Sequence, residues 1–253
     1  MGSKMKPSDL PCLGVISNWD GHYLRRYANL EGKKVLCLGY SEGQIDEFVA
    51  PLKPSEIHIL TLWEDHIDAH AGKYPVTIGD ITKRTNFADE SFDAVVSLSL
   101  LEHVAPLEDA FLEMKRVTRS GGENFHMFGP AWSCAYGSHL FTNSDDPMLA
   151  FSHWQMPAFM HLLCSQREIR DFYNDRGYHP AVGNDVVEEV FFKKHINRVF
   201  YDHYIRLMST HFRIENSELM TVDVPSDLLQ TLRKRYPGAV DFSTYGGKYH
   251  LKL

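Results

Sequence analysis

Residues 33–43 read Lys33-Lys34-Val35-Leu36-Cys37-Leu38-Gly39-Tyr40-Ser41-Glu42-Gly43. The apolar run Val35-Leu36-Cys37-Leu38 suits a strand buried on both faces, and it ends in a glycine, the residue that turns sharply without strain. From Gln44 to Leu52 the apolar positions Ile45, Phe48, Val49 and Leu52 recur at helical spacing. The stretch therefore predicts a strand, a tight turn and a helix.

The same alternation continues outward. Ile57-His58-Ile59-Leu60 predicts a second strand, Asp65 to Ala71 a helix, Val76-Thr77-Ile78 a third strand and Phe92 to Leu98 a fourth. Pro106 to Val117 carries Leu107, Ala110, Phe111 and Met114 on one helical face, Arg119-Ser120-Gly121-Gly122 ends it, and Asn124 to Phe128 supplies a fifth strand. Strands alternating with helices at this spacing predict an α/β fold, a doubly wound and mostly parallel sheet. Residues 1–30, with Trp19, Tyr23 and Tyr27, form a helical approach segment to a core over 31–130. Beyond Gly129-Pro130 the regularity is lost, and a loop rich in aromatic residues and histidine runs to about Pro157. Ser165-Gln166-Arg167-Glu168 is a capping box opening a helix that closes at Gly177. Asp185 to Met208 is apolar at helical spacing (Val186, Val190, Ile196, Phe200, Tyr204) and reads as long helices, and Ser226 to Tyr236 reads as another. Residues 131–210 are thus a helical insertion, and 211–253 closing strands, with Phe212-Arg213-Ile214 and Tyr249 to Leu253 as the strand signals.

Composition narrows the class. The chain has 253 residues, 43% hydrophobic and 23% charged, enough for a sizeable globular core. Its net charge is −7 and its longest basic run is Arg233-Lys234-Arg235, so no nucleic-acid duplex footprint is expected. Cys12, Cys37, Cys134 and Cys164 form no C-x-x-C pair, which argues against a thiolate zinc site or a disulfide framework and points to the reducing cytoplasm. No apolar run reaches the roughly 20 residues of a membrane helix, and Met1-Gly2-Ser3-Lys4 opens no signal-peptide core. The long helices of Asp185–Met208 spread Phe191, Phe192, Phe200 and Tyr201 over more than one face, offering a surface for a homodimer as well as for a core.

In an open α/β sheet, ligands bind beyond the carboxyl ends of the strands, where the first strand-to-helix turn presents backbone N–H groups. Here that turn is Gly39-Tyr40-Ser41-Glu42-Gly43, which by itself is also compatible with a plain tight turn. The later features arrive in a definite order: Gly79-Asp80-Ile81 after the third strand, Phe87 to Asp93 into the fourth, Leu100-Leu101-Glu102-His103-Val104 out of it, then Glu113 to Val117 and Ser120-Gly121-Gly122. This series resembles the class I S-adenosylmethionine-dependent methyltransferases, the small-molecule branch with an L-E-H-V turn and a K-P-G-G-like loop, over roughly residues 33–130. The resemblance implies a Rossmann-like sheet of seven strands with a reversed last strand, and S-adenosyl-L-methionine lying across the strand tips. It places Gly39, Tyr40, Ser41 and Gly43 at the methionine end and Glu64 on the ribose hydroxyls with Trp63 stacking near the adenine. Asp80 then meets the adenine amino group with Ile81 beside it, and Ser99 and Leu100 lie alongside. Two positions depart from the family pattern: Cys37 stands where an acidic residue is usual, and Ser41 where the middle glycine is usual.

Methyl transfer requires alignment and exclusion of water, and a hydroxyl acceptor is helped by a base of near-neutral pKa, for which histidine is suited. His139, just beyond the fifth strand, is the preferred base, and His103, in the turn after the fourth, is the second candidate. Trp132, Tyr136, His153 and Trp154 are candidates for the wall of an acceptor pocket, or equally for packing of the insertion onto its own core. The expected activity is methyl transfer to an oxygen or nitrogen of a small polar acceptor, and by resemblance a saccharide or nucleotide-sugar precursor. Two rival readings are a catalytically inactive binding module, marked by Cys37 and Ser41, and a metal-dependent hydrolase using His139, Asp145, Asp146 and His153. The spacing of that set is looser than the helical H-x-x-x-H of zinc sites, and no metal is assigned.

Overall fold

The computed structural model describes residues 5–16, 20–62, 73–142 and 145–253. Its strands are β1 Val15–Ile16, β2 Lys34–Leu38, β3 Glu56–Thr61, β4 Val76–Ile78, β5 Phe92–Leu98, β6 Thr118–Phe128, β7 Arg213–Val222 and β8 Thr244–Lys252. They form one sheet in the order β1-β7-β8-β6-β5-β2-β3-β4. The pairs β3·β4, β2·β3, β2·β5 and β5·β6 are parallel, whereas β8 runs antiparallel to β6, so the mostly parallel sheet with a reversed closing strand is observed, with β1 as an additional edge strand. Because the chain winds outward from β2 through β3 to β4 and then returns to β5 on the other side of β2, the order reverses between β2 and β5. That reversal opens a crevice at their carboxyl ends.

The chain folds as two compact units. One comprises Asn18–Gly129, His203–Leu219 and Gly247–Leu253. Its core packs Val35, Cys37, Ile57, Ile59, Ala94, Val96, Phe125 and Met127 from the sheet against Tyr23, Leu24, Tyr40, Ile45 and Phe48. The neighbours Leu36, Leu38 and Val95 are buried too, so the central strands are covered on both faces, which explains their unbroken apolar reading. Each such side chain contributes roughly 1.5–3 kcal/mol. The helical approach reduces here to a turn at Gly21–Tyr23 and α1, Leu24–Tyr27. It is tied down by charge: Arg26 bridges Asp20 (2.6 Å) and Glu218 (3.0 Å), Tyr27 donates to Glu218, and Lys248, buried on β8, completes the network at 3.0 Å from Glu218.

After β2 the backbone forms α2, Glu42–Gln44, widens into a π turn over Ile45–Val49 and closes with a tight turn at Ala50–Leu52. Pro51 has no N–H for the residue four places earlier, so a regular α-helix cannot run through it. The expected helix over Asp65–Ala71 lies outside the described residues. Helix α3, Leu107–Val117, buries Leu107, Ala110, Phe111, Met114 and Val117. It also holds the loop before β5. Glu113 accepts from Arg116 (2.6 and 2.7 Å) and from the backbone and hydroxyl of Thr85 (both 2.7 Å), while Arg116 reaches Phe87 O and Asp89.

The other unit comprises Met1–Ser17, Pro130–Asp202 and Met220–Gly246. Its helices are α4 Met160–Leu163, α5 Gln166–Asn174, α6 Pro180–Phe191 and α8 Ser226–Arg235, and the chain leaves it through α7, Tyr201–His211. The Ser165/Glu168 capping box is present, with Ser165 Oγ accepting from Glu168 N and the Glu168 carboxylate from Ser165 N. The helical stretch read over Asp185–Met208 is divided between two helices, α6 and α7. Arg198 adopts a left-handed conformation (φ 56°) and donates to the carbonyls of Val190 and Lys193 at the end of α6, a cationic cap that terminates the helix. The strand signals at Phe212–Ile214 and Tyr249–Leu253 also prove to be parts of longer strands. Among the described residues no helix is long and apolar enough to cross a membrane.

The Glu113 carboxyl would be raised by burial, but the bonds from Arg116 and Thr85 hold it below the usual carboxylate range. Its contribution to stability is thus present above about pH 4.5 and lost as the pH falls through the lowered native value. Arg116→Met should destabilise the protein by about 3 kcal/mol at neutral pH, because it leaves a largely buried carboxylate unpaired. Thermal unfolding from pH 7 to pH 3 should show the gap to the parent narrowing as Glu113 protonates.

Candidate active site

The crevice is built from the strand tips of the first unit. Gly39, at the end of β2, has φ 67°, donates its N–H to Leu60 O (3.2 Å), and comes so close to Leu100 that an added Cβ would lie 2.9 Å from Leu100 Cδ1. Only glycine meets both demands without strain. Tyr40 turns its ring into the core, fully buried beside Tyr23, whose own hydroxyl donates to Ser97 O (3.0 Å). Burial pushes the Tyr40 phenol well above its ordinary range, which leaves its backbone as the part that faces the turn. Ser41 caps the following helix by a reciprocal pair with Gln44 (3.3 and 2.9 Å). Gly43 is exposed, and a Cβ built on it meets nothing within 4 Å. The four residues have different physical roles: turn, core plug, helix cap and open space.

The neighbouring tips continue the site. Gly79 donates to Thr61 O (2.9 Å), and Asp80 Oδ1 then accepts from Thr82 N (2.9 Å) and Thr82 Oγ1 (2.7 Å), with Lys83 at 3.5 Å. Burial would raise the Asp80 carboxyl, but the Thr82 and Lys83 contacts outweigh it and hold the group ionised, below the ordinary carboxylate range. Ile81 is buried behind it. Leu62 and Ile78, at the ends of β3 and β4, are 60% and 40% exposed, an apolar surface at these tips that the sequence reading had not singled out. Trp63 and Glu64 lie outside the described residues. At the tip of β5, Ser99 is exposed in a left-handed conformation (φ 49°) and donates to Met127 O (2.8 Å). His103 is exposed on the turn Leu101–His103, whereas Glu102 beside it is buried. Cys37 is a core residue whose thiol is pushed up by burial, so position 37 supplies no polar group to the crevice.

The second unit holds the aromatic and histidine-rich loop. Tyr136 is buried, its hydroxyl accepting from Leu13 N (2.8 Å) and lying 2.7 Å from Leu13 O and 2.9 Å from Trp154 O; burial raises the phenol to about 12. Gly137 admits no side chain, since a Cβ would fall 2.4 Å from the carbonyls of Ala131 and Trp132. Trp132 is buried in the same core, with Arg198 over its indole at 5.6 Å. His161 Nε2 donates to Trp132 O (2.8 Å), and burial lowers its pKa to about 4, so the ring is neutral. His139 is half-buried with φ 51°, edge-on to Phe151 at 4.2 Å and 6.3 Å from His195. Trp154 also has positive φ (55°), and His153 is exposed. Of the four expected wall residues, Trp132 and Tyr136 are therefore structural members of the core, and Tyr136 fixes Trp154. His195 and Arg198 lie between α6 and α7, and no local motif marks them in the sequence. Among the described residues no group of three or more His, Cys, Asp or Glu is placed to hold a metal ion, and Asp146 is engaged with Tyr178 (2.7 Å) and Met148 N (2.9 Å).

Gly39 and Gly43 should respond differently to alanine. Gly39→Ala incurs both a left-handed backbone penalty of about 1–2 kcal/mol and the Leu100 contact, and should lower the melting temperature. Gly43→Ala should leave stability within about 0.5 kcal/mol. Thermal unfolding of the two variants checks both, and an equal loss at Gly43 would mean that its surroundings are not open.

The methyltransferase domain family matches residues 20–125. No curated protein matches the chain. Among solved structures, an S-adenosylmethionine-dependent methyltransferase of Mesorhizobium loti shares 14% identity and a TM-score of 0.52, covering 90% of this chain and 94% of its own. One from Archaeoglobus fulgidus shares 16% with a TM-score of 0.51, at 92% of each chain. The geranyl diphosphate C-methyltransferase of Streptomyces coelicolor, solved with Mg2+, geranyl diphosphate and S-adenosyl-L-homocysteine, shares 12% with a TM-score of 0.53, covering 92% of this chain and 76% of its own. At such identities these likenesses carry the fold, and over residues 20–125 the chain matches the methyltransferase domain family.

Proposed function

We propose that this enzyme transfers the methyl group to an oxygen or nitrogen of a small polar acceptor, with saccharide or nucleotide-sugar precursors the first class to test. The observation that carries the reading is His139, an imidazole held in a left-handed backbone against Phe151 and near His195 within a loop stiffened by Gly137 and Tyr136. A non-glycine residue in that conformation persists only where its surroundings over-determine it, and such residues concentrate at functional sites.

The strand tips suit the cofactor on their own chemistry. The exposed, unobstructed Gly43 leaves room at the first turn, and with Cys37 in the core the methionine end is left to the backbone of Gly39–Gly43. Asp80, ionised, with Oδ1 committed to Thr82 and Oδ2 3.5 Å from Lys83 Nζ, keeps a further lone pair on Oδ2 for an adenine amino group, while Leu62, Ile78 and Leu100 offer apolar surface to the base. When bound, the cofactor supplies an activated methyl group on a sulfonium. What the chain must add is alignment, exclusion of water and a place for the acceptor's proton. His139 takes that proton in this reading, with His103 the second choice. His153 and Trp154 contribute a polar and aromatic surface to acceptor recognition.

Incubation of a polar-metabolite pool with enzyme and methyl-labelled cofactor, read by mass spectrometry, should yield a product heavier by one labelled methyl, on oxygen or nitrogen. A labelled product bearing the group on carbon would overturn the acceptor class. His139→Ala should lower kcat by about a hundredfold with little change in cofactor affinity, the range expected for loss of a general base. Asp80→Asn keeps the Oδ1 turn with Thr82 but turns the other oxygen into a donor. It should weaken S-adenosylhomocysteine binding by about tenfold with kcat largely retained. Unchanged turnover in His139→Ala would remove it as the base.

A further inference from the structure

A buried carboxyl group next to the crevice has no part in the reading above. Glu102 lies on the turn Leu101–His103 that follows β5, with only 1% of its surface exposed. Its Oε1 accepts a hydrogen bond from Gly129 N at 3.3 Å, and among the described residues Oε2 has no hydrogen-bond partner. Gly129 directly follows β6 and has φ 147°, a backbone state open to glycine, and it is the last residue before the chain enters the second unit. The same turn is attached at two other points. Tyr204 of α7 donates to Leu101 O (3.4 Å), and Leu100 packs on Gly39. Glu102 thus grips the end of β6 from the turn whose preceding residue forms the floor of the Gly39 bend.

We infer that Glu102 is a positioning residue of the methyl-transfer site, held as a neutral carboxylic acid that clips the turn after β5 to Gly129 and thereby sets Leu100 against Gly39. The inference concerns the cofactor side and holds whatever the acceptor is. Its physical basis is that hydrogen bonds from backbone N–H groups do not compensate a carboxylate taken out of water here, so the neutral form is the one the fold accepts. Burial raises the group to about 8, against a small opposing effect of its own and the Gly129 backbone N–H. Besides His103 on the turn, β6 carries His126, bonded to Ser97 (2.8 Å), with Arg119 and Glu123; α7 carries Tyr204 with Asp202, His203, Arg206 and His211; and β8 carries Tyr249 with Lys248, His250 and Lys252. What sets the ionisation of Glu102 is burial together with the backbone N–H groups of Glu102 and Gly129. Above pH 8 the carboxylate seeks water, the clip loosens and the Leu100–Gly39 contact is no longer held.

The test is calorimetric titration of the full-length protein with S-adenosylhomocysteine from pH 6.5 to 9.5, for the parent, Glu102→Gln and Glu102→Ala. With one group near 8, the competent fraction at pH 9 is about one-tenth, so parental affinity should fall about tenfold between pH 7 and 9. Glu102→Gln, an isostere of the neutral acid, should bind within about threefold of the parent at pH 7 and lose the alkaline fall. Glu102→Ala should bind weakly at every pH. Carbon-13 NMR of side-chain-labelled glutamate gives an independent reading on the parent: one carboxyl titrating near pH 8 and absent from the glutamine variant. A parent whose affinity is flat to pH 9, a glutamine variant that keeps the alkaline fall, or no glutamate titrating above pH 7 would each overturn the proposal.

Discussion

The close approach of Leu100 to Gly39 is the contact on which the crevice depends. The two residues leave adjacent parallel strands, β2 and β5, at the point where strand order reverses. Gly39 must turn left-handed there, and it must lack a side chain, because Leu100 occupies the place of a Cβ. One glycine therefore satisfies a backbone and a packing requirement together. The remaining tips inherit their positions from it, since β3 and β4 are in register with β2 and present Leu62 and Asp80 in order.

Charge around this site is arranged unlike the family pattern. Position 37 contributes a buried thiol to the core, and two of the acidic groups near the crevice are Asp80, ionised at its surface, and Glu102, buried behind it. The two carboxyls are pushed apart by environment: hydrogen bonds from Thr82 and a nearby Lys83 hold one charged, and an apolar enclosure keeps the other neutral. Elsewhere in the unit, charge serves architecture. Lys248, Glu218, Arg26 and Asp20 bind the approach segment, and Arg116 with Glu113 binds the loop before β5.

The second unit works by a different means. Its loop has little regular structure, and His139, Trp154, Phe159 and Arg198 all take positive φ. Such conformations cost of order 1–3 kcal/mol each and need compensation. Tyr136, bonding both Leu13 and Trp154, the forced glycine at 137 and the cap of Arg198 on α6 provide it. Rigidity here comes from buried hydrogen bonds rather than from helix or strand.

Sequence alone determined the sheet, the first turn and the placement of Asp80, because strand and helix periods, capping boxes and glycine turns are encoded within a few residues. The Ser165 cap and the boundaries of α3 were legible for the same reason. What the tertiary structure decided is which side chains reach the crevice. Tyr40, expected at the methionine end, and Tyr136, left open between acceptor wall and core packing, both place their rings in the cores, since a long aromatic ring follows the nearest apolar enclosure, which only packing defines. His195 lies near His139 from 56 positions away, in the segment between α6 and α7 where Arg198 caps α6, and Glu102 is neutral because of what surrounds it. Local pattern specifies where the backbone goes; burial and long-range contact specify what each polar group does there.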